Sequence, residues 1–124
     1  MIIDMIKGVG LDAVKVSRIE EATRRWGERF LRRVFTEGEL LVAGRRGERL
    51  ASRFAAKEAF LKALGKGIFS GISLKEIEVV SLPSGAPTLR LHGRAKEATE
   101  GMKGIHLSLS HEGGYSFAMV ILEG

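Results

Sequence analysis

Residues Arg53 to Gly67 read RFAAKEAFLKALGKG. Phe54, Ala55, Ala56, Ala59, Phe60, Leu61 and Leu64 make most of this stretch a buried helix, which begins at Leu50 and stops at Gly65. At about 100° per residue, Leu50, Phe54 and Leu61 fall within about 40° of one another and form a core stripe. Yet the segment keeps four charges, Arg53, Lys57, Glu58 and Lys62. Glu58 and Lys62 share one border of the stripe beside the small Ala51 and Ala55, which leaves room for a ligand or a metal. An i,i+4 Glu–Lys pair that stabilises an exposed helix by about 0.2–0.5 kcal/mol accounts for the same spacing, and from this segment alone it is the favoured reading.

Before this helix, the glycines and weak alternation predict a strand over Ile6–Asp12. Ser17-Arg18-Ile19-Glu20 has capping-box spacing, so a helix should follow to about Trp26, where Gly27 breaks it. A short helical turn over Arg29–Phe35 comes next. Thr36-Glu37-Gly38-Glu39 is a second capping box and opens a helix over Glu37–Ala43. After the long helix the period changes to two. Glu76–Leu82 and Thr88–His92 form a hairpin around Pro83-Ser84-Gly85-Ala86-Pro87, Arg94–Glu100 is a short helix or turn, and Ile105–Ser110 and Tyr115–Leu122 are strands joined at Glu112-Gly113-Gly114. Helices in the first half and antiparallel strands in the second predict an α+β fold, with one domain over residues 1–124.

The composition sets the class. At 124 residues the chain can bury roughly two thirds of its unfolded surface, enough for one core. With 44% hydrophobic and 28% charged residues it is globular rather than disordered. The absence of cysteine removes disulfides and thiolate metal sites, and His92, His106 and His111 are the only histidines. A formal charge of +5 biases the protein toward anionic partners, whether nucleic acid, a phosphorylated ligand or an acidic protein. The opening MIIDMIKGVG is neither a signal peptide nor a membrane span, so no membrane partner and a cytoplasmic location are expected.

Two further stretches carry candidate chemistry. Gly8-Val9-Gly10-Leu11-Asp12 allows close backbone approach and then presents an acid at a strand end. It lacks the third glycine of a dinucleotide fingerprint and the lysine of a phosphate loop, and a bulge followed by a solvated Asp is the simpler reading of this stretch alone. In Leu107-Ser108-Leu109-Ser110-His111, period two puts the serines on one face and Leu107, Leu109 and His111 on the other. Ser110 and His111 therefore do not form a nucleophile pair.

Together, GVGLD, RFAAKEAFLKALGKG and LSLSHEGGYSFAMVILE resemble, in order and spacing, the three signature blocks of the holo-[acyl-carrier-protein] synthases, the short bacterial-type 4′-phosphopantetheinyl transferases. Arg18-Ile19, Phe35-Thr36-Glu37, Glu39-Leu40, Leu91-His92-Gly93 and Ala95-Lys96 extend the resemblance over nearly the whole chain. It implies Mg²⁺-dependent transfer of phosphopantetheine from coenzyme A to a serine of apo acyl carrier protein, with adenosine 3′,5′-bisphosphate as the second product and a role in fatty acid biosynthesis. It implies Asp12 and Glu58 as Mg²⁺ ligands, and Lys62 as the group that reaches the coenzyme pyrophosphate. These three are the expected catalytic residues. Arg53, Lys62, Gly65, Ser110 and His111 are expected to bind the coenzyme, and Lys57 is a weaker candidate for its phosphates or a plain surface charge. Arg18, Arg25 and Arg29 are expected to dock the acidic carrier. The proton acceptor stays open between Glu58, Asp12 through water, and hydroxide on the metal. Family members are homotrimers with interfacial sites, so a homotrimer is expected.

Three features depart from the family pattern: Lys66 after Leu64-Gly65, the paired glycines Gly113-Gly114, and the short basic linker Gly44–Glu48. A basic nucleic-acid-binding module is the rival from another class. Against it, Trp26 and Tyr115 are the only Trp and Tyr, no basic segment is interleaved with aromatics, and Asp12 and Glu58 are left without a use. A transferase whose carrier serves polyketide or peptide synthesis, and a trimer that has lost activity, are the alternatives within the family.

Overall fold

The computed structural model describes residues 5–65 and 71–124. Lys66 and Gly67, and the first four residues, lie outside the described residues. Strand β1 (Ile6–Lys15) leads into helices α1 (Val16–Trp26), α2 (Glu28–Val34), α3 (Glu37–Ala43) and the long α4 (Gly47–Leu64). A single 3₁₀ turn, Leu74–Glu76, precedes the hairpin of β2 (Ile77–Ser81) and β3 (Pro87–Leu91). Helix α5 (Gly93–Ala98) and the hairpin of β4 (Gly104–Glu112) and β5 (Tyr115–Glu123) complete the chain. β5 is central in an antiparallel sheet of order β1-β5-β4. The fold is α+β, as the pattern predicts.

Helix α4 crosses one face of that sheet. The strand period of two turns Gly8, Gly10, Asp12 and Val14 of β1 toward the helix, in line with Ala118 and Val120 of β5 and Leu107 and Leu109 of β4. Leu50, Ala55, Ala59 and Phe60 from α4 are buried against Val14, Ala118, Val120 and Leu122 in one core. The contact is unusually close at β1. A Cβ added at Gly10 would collide with the Ala59 carbonyl oxygen, and one at Gly8 with that of Ala63. These glycines are therefore helix–strand packing positions, and the ladder irregularity between Ile6 and Gly8 supplies the bulge.

Several boundaries differ from those predicted. β1 continues past Asp12 to Lys15 and passes directly into α1. The Ser17 capping box does not form, because the helix begins two residues earlier, with Lys15 rather than Ser17 at the cap. The Val16 amide instead donates to the Gly114 carbonyl at 2.9 Å, so the β4–β5 turn satisfies the helix start. The Thr36 capping box does form, with Glu39 N–H to Thr36 Oγ1 at 3.1 Å and Thr36 N–H to Glu39 Oε1 at 2.9 Å. α4 starts at Gly47 rather than Leu50, and Gly47 packs so tightly on α1 that a Cβ there would strike the Glu20 side chain. It ends at Gly65, whose φ of 73° makes a left-handed cap.

Gly10→Ala should destabilise the protein by about 3 kcal/mol, because the added methyl meets backbone that cannot yield. Urea unfolding reads this directly, and an unchanged midpoint would contradict the packing described.

Candidate active site

The glycine contact decides what meets at the β1–α4 seam. Asp12 lies two residues beyond Gly10 on the helix-facing side, and Glu58 immediately precedes Ala59. Lys62 is one turn on. Its Nζ donates to Asp12 Oδ1 at 2.8 Å and to the Leu11 carbonyl at 3.1 Å. The favoured i,i+4 pair with Glu58 is therefore replaced by a pair across the seam, since β1 comes close enough to offer two acceptors. The Asp12 side chain is only 16% exposed, so the solvated Asp of the simpler reading is not found.

Glu58 is half-buried, and burial is the main influence pushing its carboxyl up. The neighbouring Asp12 charge adds to this, while Lys62 and Arg18 oppose it. The Asp12 carboxylate raises the cost of ionising Glu58 unless a cation joins the two. The donor set is all oxygen, which suits Mg²⁺ rather than a soft metal. Among the described residues no cluster of three or more His, Cys, Asp or Glu could hold a metal, so water or substrate oxygens would have to complete such a site. The residues fit a Mg²⁺ ion with an incomplete protein shell.

Lys57 is neither a phosphate contact nor a surface charge. It is fully buried, and its Nζ donates to Glu39 Oε1 at 2.8 Å, the Ile77 carbonyl at 2.6 Å and the Leu74 carbonyl at 3.0 Å. All three ammonium hydrogens are used. Glu39 is equally buried, and its Oε2 accepts from the Val79 N–H at 2.9 Å. Burial pushes Lys57 down, and the Glu39 charge and hydrogen bond hold it up. This pair ties α3 and α4 to β2. The sequence offered Glu39 only as a cap, and nothing local signals a partner 18 positions away.

Arg53 faces the cleft between the β2–β3 hairpin and β4, which is lined by Ser81, Gly85, Pro87, Leu107 and Ser108 among others and has a volume of about 380 Å³. One guanidinium nitrogen donates to the Arg49 carbonyl at 3.0 Å, whereas its buried Nε has no partner. Burial lowers its proton affinity most, and Arg49 adds to this against Glu39. Ser110 and His111 lie at the far end of α4 and share a cavity of about 250 Å³ with Glu48, Arg49 and Ser52. His111 Nε2 is 3.5 Å from Glu48 Oε1. Glu48, Arg49 and Ser52 were not singled out from the sequence, because the helix was expected to begin only at Leu50, which left Glu48 in a linker. Ten helical residues separate Glu48 from Glu58, about 15 Å of rise, so one chain does not bring His111 to the carboxylate pair.

Arg18, Arg25 and Arg29 are exposed. Arg25 lies over the Trp26 ring at 5.3 Å, and Arg29 lines a surface groove with Trp26, Phe30 and Arg33. Arg18 is near enough for its charge to act on Glu58.

A family model described as the 4′-phosphopantetheinyl transferase superfamily matches residues 8–120. The chain belongs to this superfamily. A holo-[acyl-carrier-protein] synthase of Halothermothrix orenii is 48% identical over 124 residues, covering 96% of this chain and 98% of its own. One from Syntrophus aciditrophicus is 45% identical over 125 residues, covering 97% of this chain and 98% of its own. The crystal structure of the Helicobacter pylori synthase in complex with coenzyme A superposes with a TM-score of 0.83 at 30% identity, covering 92% of this chain and 98% of that one. The Bacillus anthracis synthase, in complex with CoA (3′,5′-ADP), gives 0.78 at 37% identity, covering 96% and 97%. The protein is an enzyme of this transferase type.

The elevated Glu58 carboxyl makes a pH prediction. Its folded state binds a proton more readily than the unfolded chain, so the Glu58 contribution to stability falls as pH rises from about 4.5 through its raised value. Glu58→Gln in chelator should therefore melt higher than the parent at pH 7, with the gain fading below about pH 4.5. Differential scanning fluorimetry at both pH values checks this, and a lower melting point at pH 7 would contradict it.

Proposed function

We propose that the whole chain, residues 1–124, is one transferase domain that moves the 4′-phosphopantetheine of coenzyme A to a serine of apo acyl carrier protein. The observation that carries the reading is the seam where Asp12, Glu58 and Lys62 converge, two acidic groups and one cation suited to a metal-bound pyrophosphate. Its similarity to synthases crystallised with coenzyme A supports the donor. Asp12 and Glu58 would hold Mg²⁺, which when bound neutralises pyrophosphate charge and polarises the bond to be broken. Lys62 binds the same pyrophosphate from α4. The serine oxygen forms a bond to the β-phosphorus, the bond from that phosphorus to the bridging oxygen breaks, and adenosine 3′,5′-bisphosphate leaves with that oxygen. The hydroxyl proton passes to a carboxylate of the seam, Glu58 directly or Asp12 through water, as the new bond forms.

The remaining residues fit roles around this step. Arg53, with an unpaired buried N–H, and His111 and Ser110 bind coenzyme phosphates and ribose, and the left-handed turn at Gly65 leaves room beside Lys62. Arg18, Arg25 and Arg29 would steer the acidic carrier, and the charge of Arg18 acting on Glu58 supports a docking face beside the reacting centre. A homotrimer is supported by the outer face of the three-stranded sheet, where Val9 (54%), Leu11 (62%), Tyr115 (39%) and Met119 (40%) are exposed. The distance between His111 and Glu58 in one chain points the same way, to sites completed by two copies. Among the described residues no helix is long and apolar enough to cross a membrane. We place the enzyme in the cytoplasm, in fatty acid biosynthesis.

Intact-mass spectrometry of apo carrier incubated with coenzyme A tests the proposal. With Mg²⁺ the carrier should gain one phosphopantetheinyl group, with a chelator none, and Asp12→Asn should slow the gain by more than about 100-fold. An unchanged carrier mass across several carriers would overturn the reading.

A further inference from the structure

Two lysines of α4 carry the same charge in opposite circumstances. Lys57 is buried, and its three bonds leave it nowhere to go. Lys62 is 55% exposed, and its flexible stem brings the ammonium across to Asp12 rather than back to Glu58. It takes Asp12 Oδ1 at 2.8 Å and the Leu11 carbonyl at 3.1 Å. Asp12 thus already has a cation on one of the oxygens a metal would use. Glu58, which feels Lys62 only through its charge, has no such occupant.

We propose that Lys62 is an exchangeable counter-ion: without metal it occupies Asp12, and coenzyme binding draws it onto the pyrophosphate and so opens Asp12 to the metal. This rests on the transferase reading. The physical basis is that a divalent ion and an ammonium held on one carboxylate repel each other, so each weakens the other's hold there. The pyrophosphate supplies Lys62 with a stronger anionic partner. Metal binding alone then carries the cost of displacing Lys62, and coenzyme binding removes that cost. By linkage the metal tightens the coenzyme by the same factor that the coenzyme tightens the metal. The order this imposes is useful to a transferase, because a metal held firmly only with the donor in place does not assemble the reacting centre on an empty site.

Titration calorimetry of Mg²⁺ into metal-free protein, with and without saturating coenzyme A, measures this coupling without turnover. Lys62→Met should bind Mg²⁺ alone roughly threefold to tenfold tighter than the parent, the range expected for releasing a half-exposed ion pair. The factor by which coenzyme A strengthens Mg²⁺ binding should shrink by a similar amount. Arg18→Met is the control for a nearby charge with no hydrogen bond to Asp12. It should shift both Mg²⁺ affinities alike and leave their ratio unchanged. The proposal is overturned if Lys62→Met leaves Mg²⁺ binding to the coenzyme-free protein unchanged or weaker, or if its ratio equals that of the parent. Failure of the parent to bind coenzyme A would instead overturn the transferase reading and the coenzyme half of the exchange, while the coenzyme-free titration decides by itself whether Lys62 competes for Asp12.

Discussion

The candidate site exists because β1 lies on α4 with no side chain between them. At Gly8 and Gly10 the strand meets the carbonyls of Ala63 and Ala59 directly, and any Cβ there would force the two apart. That separation would be felt two residues on, at Asp12, and one residue back, at Glu58. The proposed sharing of Mg²⁺ by the two carboxylates would tolerate little change in spacing, since the metal–oxygen distance of Mg²⁺ is narrow. The small residues on both elements, glycine on the strand and alanine on the helix, thus set the geometry of groups they do not touch.

The second constraint is rotational. α4 carries charged groups around its whole circumference, so its rotation decides which of them faces β1. The Lys57–Glu39 pair, closed by the Leu74 and Ile77 carbonyls and the Val79 amide, fixes the helix from the side opposite the seam. Removing one partner of such a buried pair leaves an uncompensated charge, at a cost of about 3–5 kcal/mol. Thr36 joins this network to Glu78, and Glu78 to His92, by bonds of 2.7 and 3.0 Å, so the β2–β3 hairpin is held by the same polar chain.

Much of this was readable from residue patterns. The α4 periodicity, the Thr36 cap, the alternation in β4 and the apolar run of β5 follow from local rules, and each of these elements is present, with α4 beginning three residues earlier than expected. Boundaries shifted where a distant group took over a local role, as when the start of α1 found an acceptor for its Val16 amide in the Gly114 carbonyl rather than in the Ser17 side chain. Lys57 and Lys62 show the same limit in the site itself. Both lie on one helix with a glutamate nearby, and spacing alone cannot say that one is sealed under Glu39 while the other reaches Asp12, 50 residues back. The cavity at His111 is assembled from α4 and β4, and only the folded chain brings Glu48 and Ser52 to it.

The claim that the close β1–α4 contact builds a divalent-ion site from two carboxylates is tested most directly by anomalous scattering from a crystal soaked with Mn²⁺ and coenzyme A. The expected result is one strong peak within bonding distance of both Asp12 and Glu58, with Lys62 turned from Asp12 to the coenzyme. A peak bound by neither carboxylate, or by Glu58 alone with Lys62 still on Asp12, would contradict it.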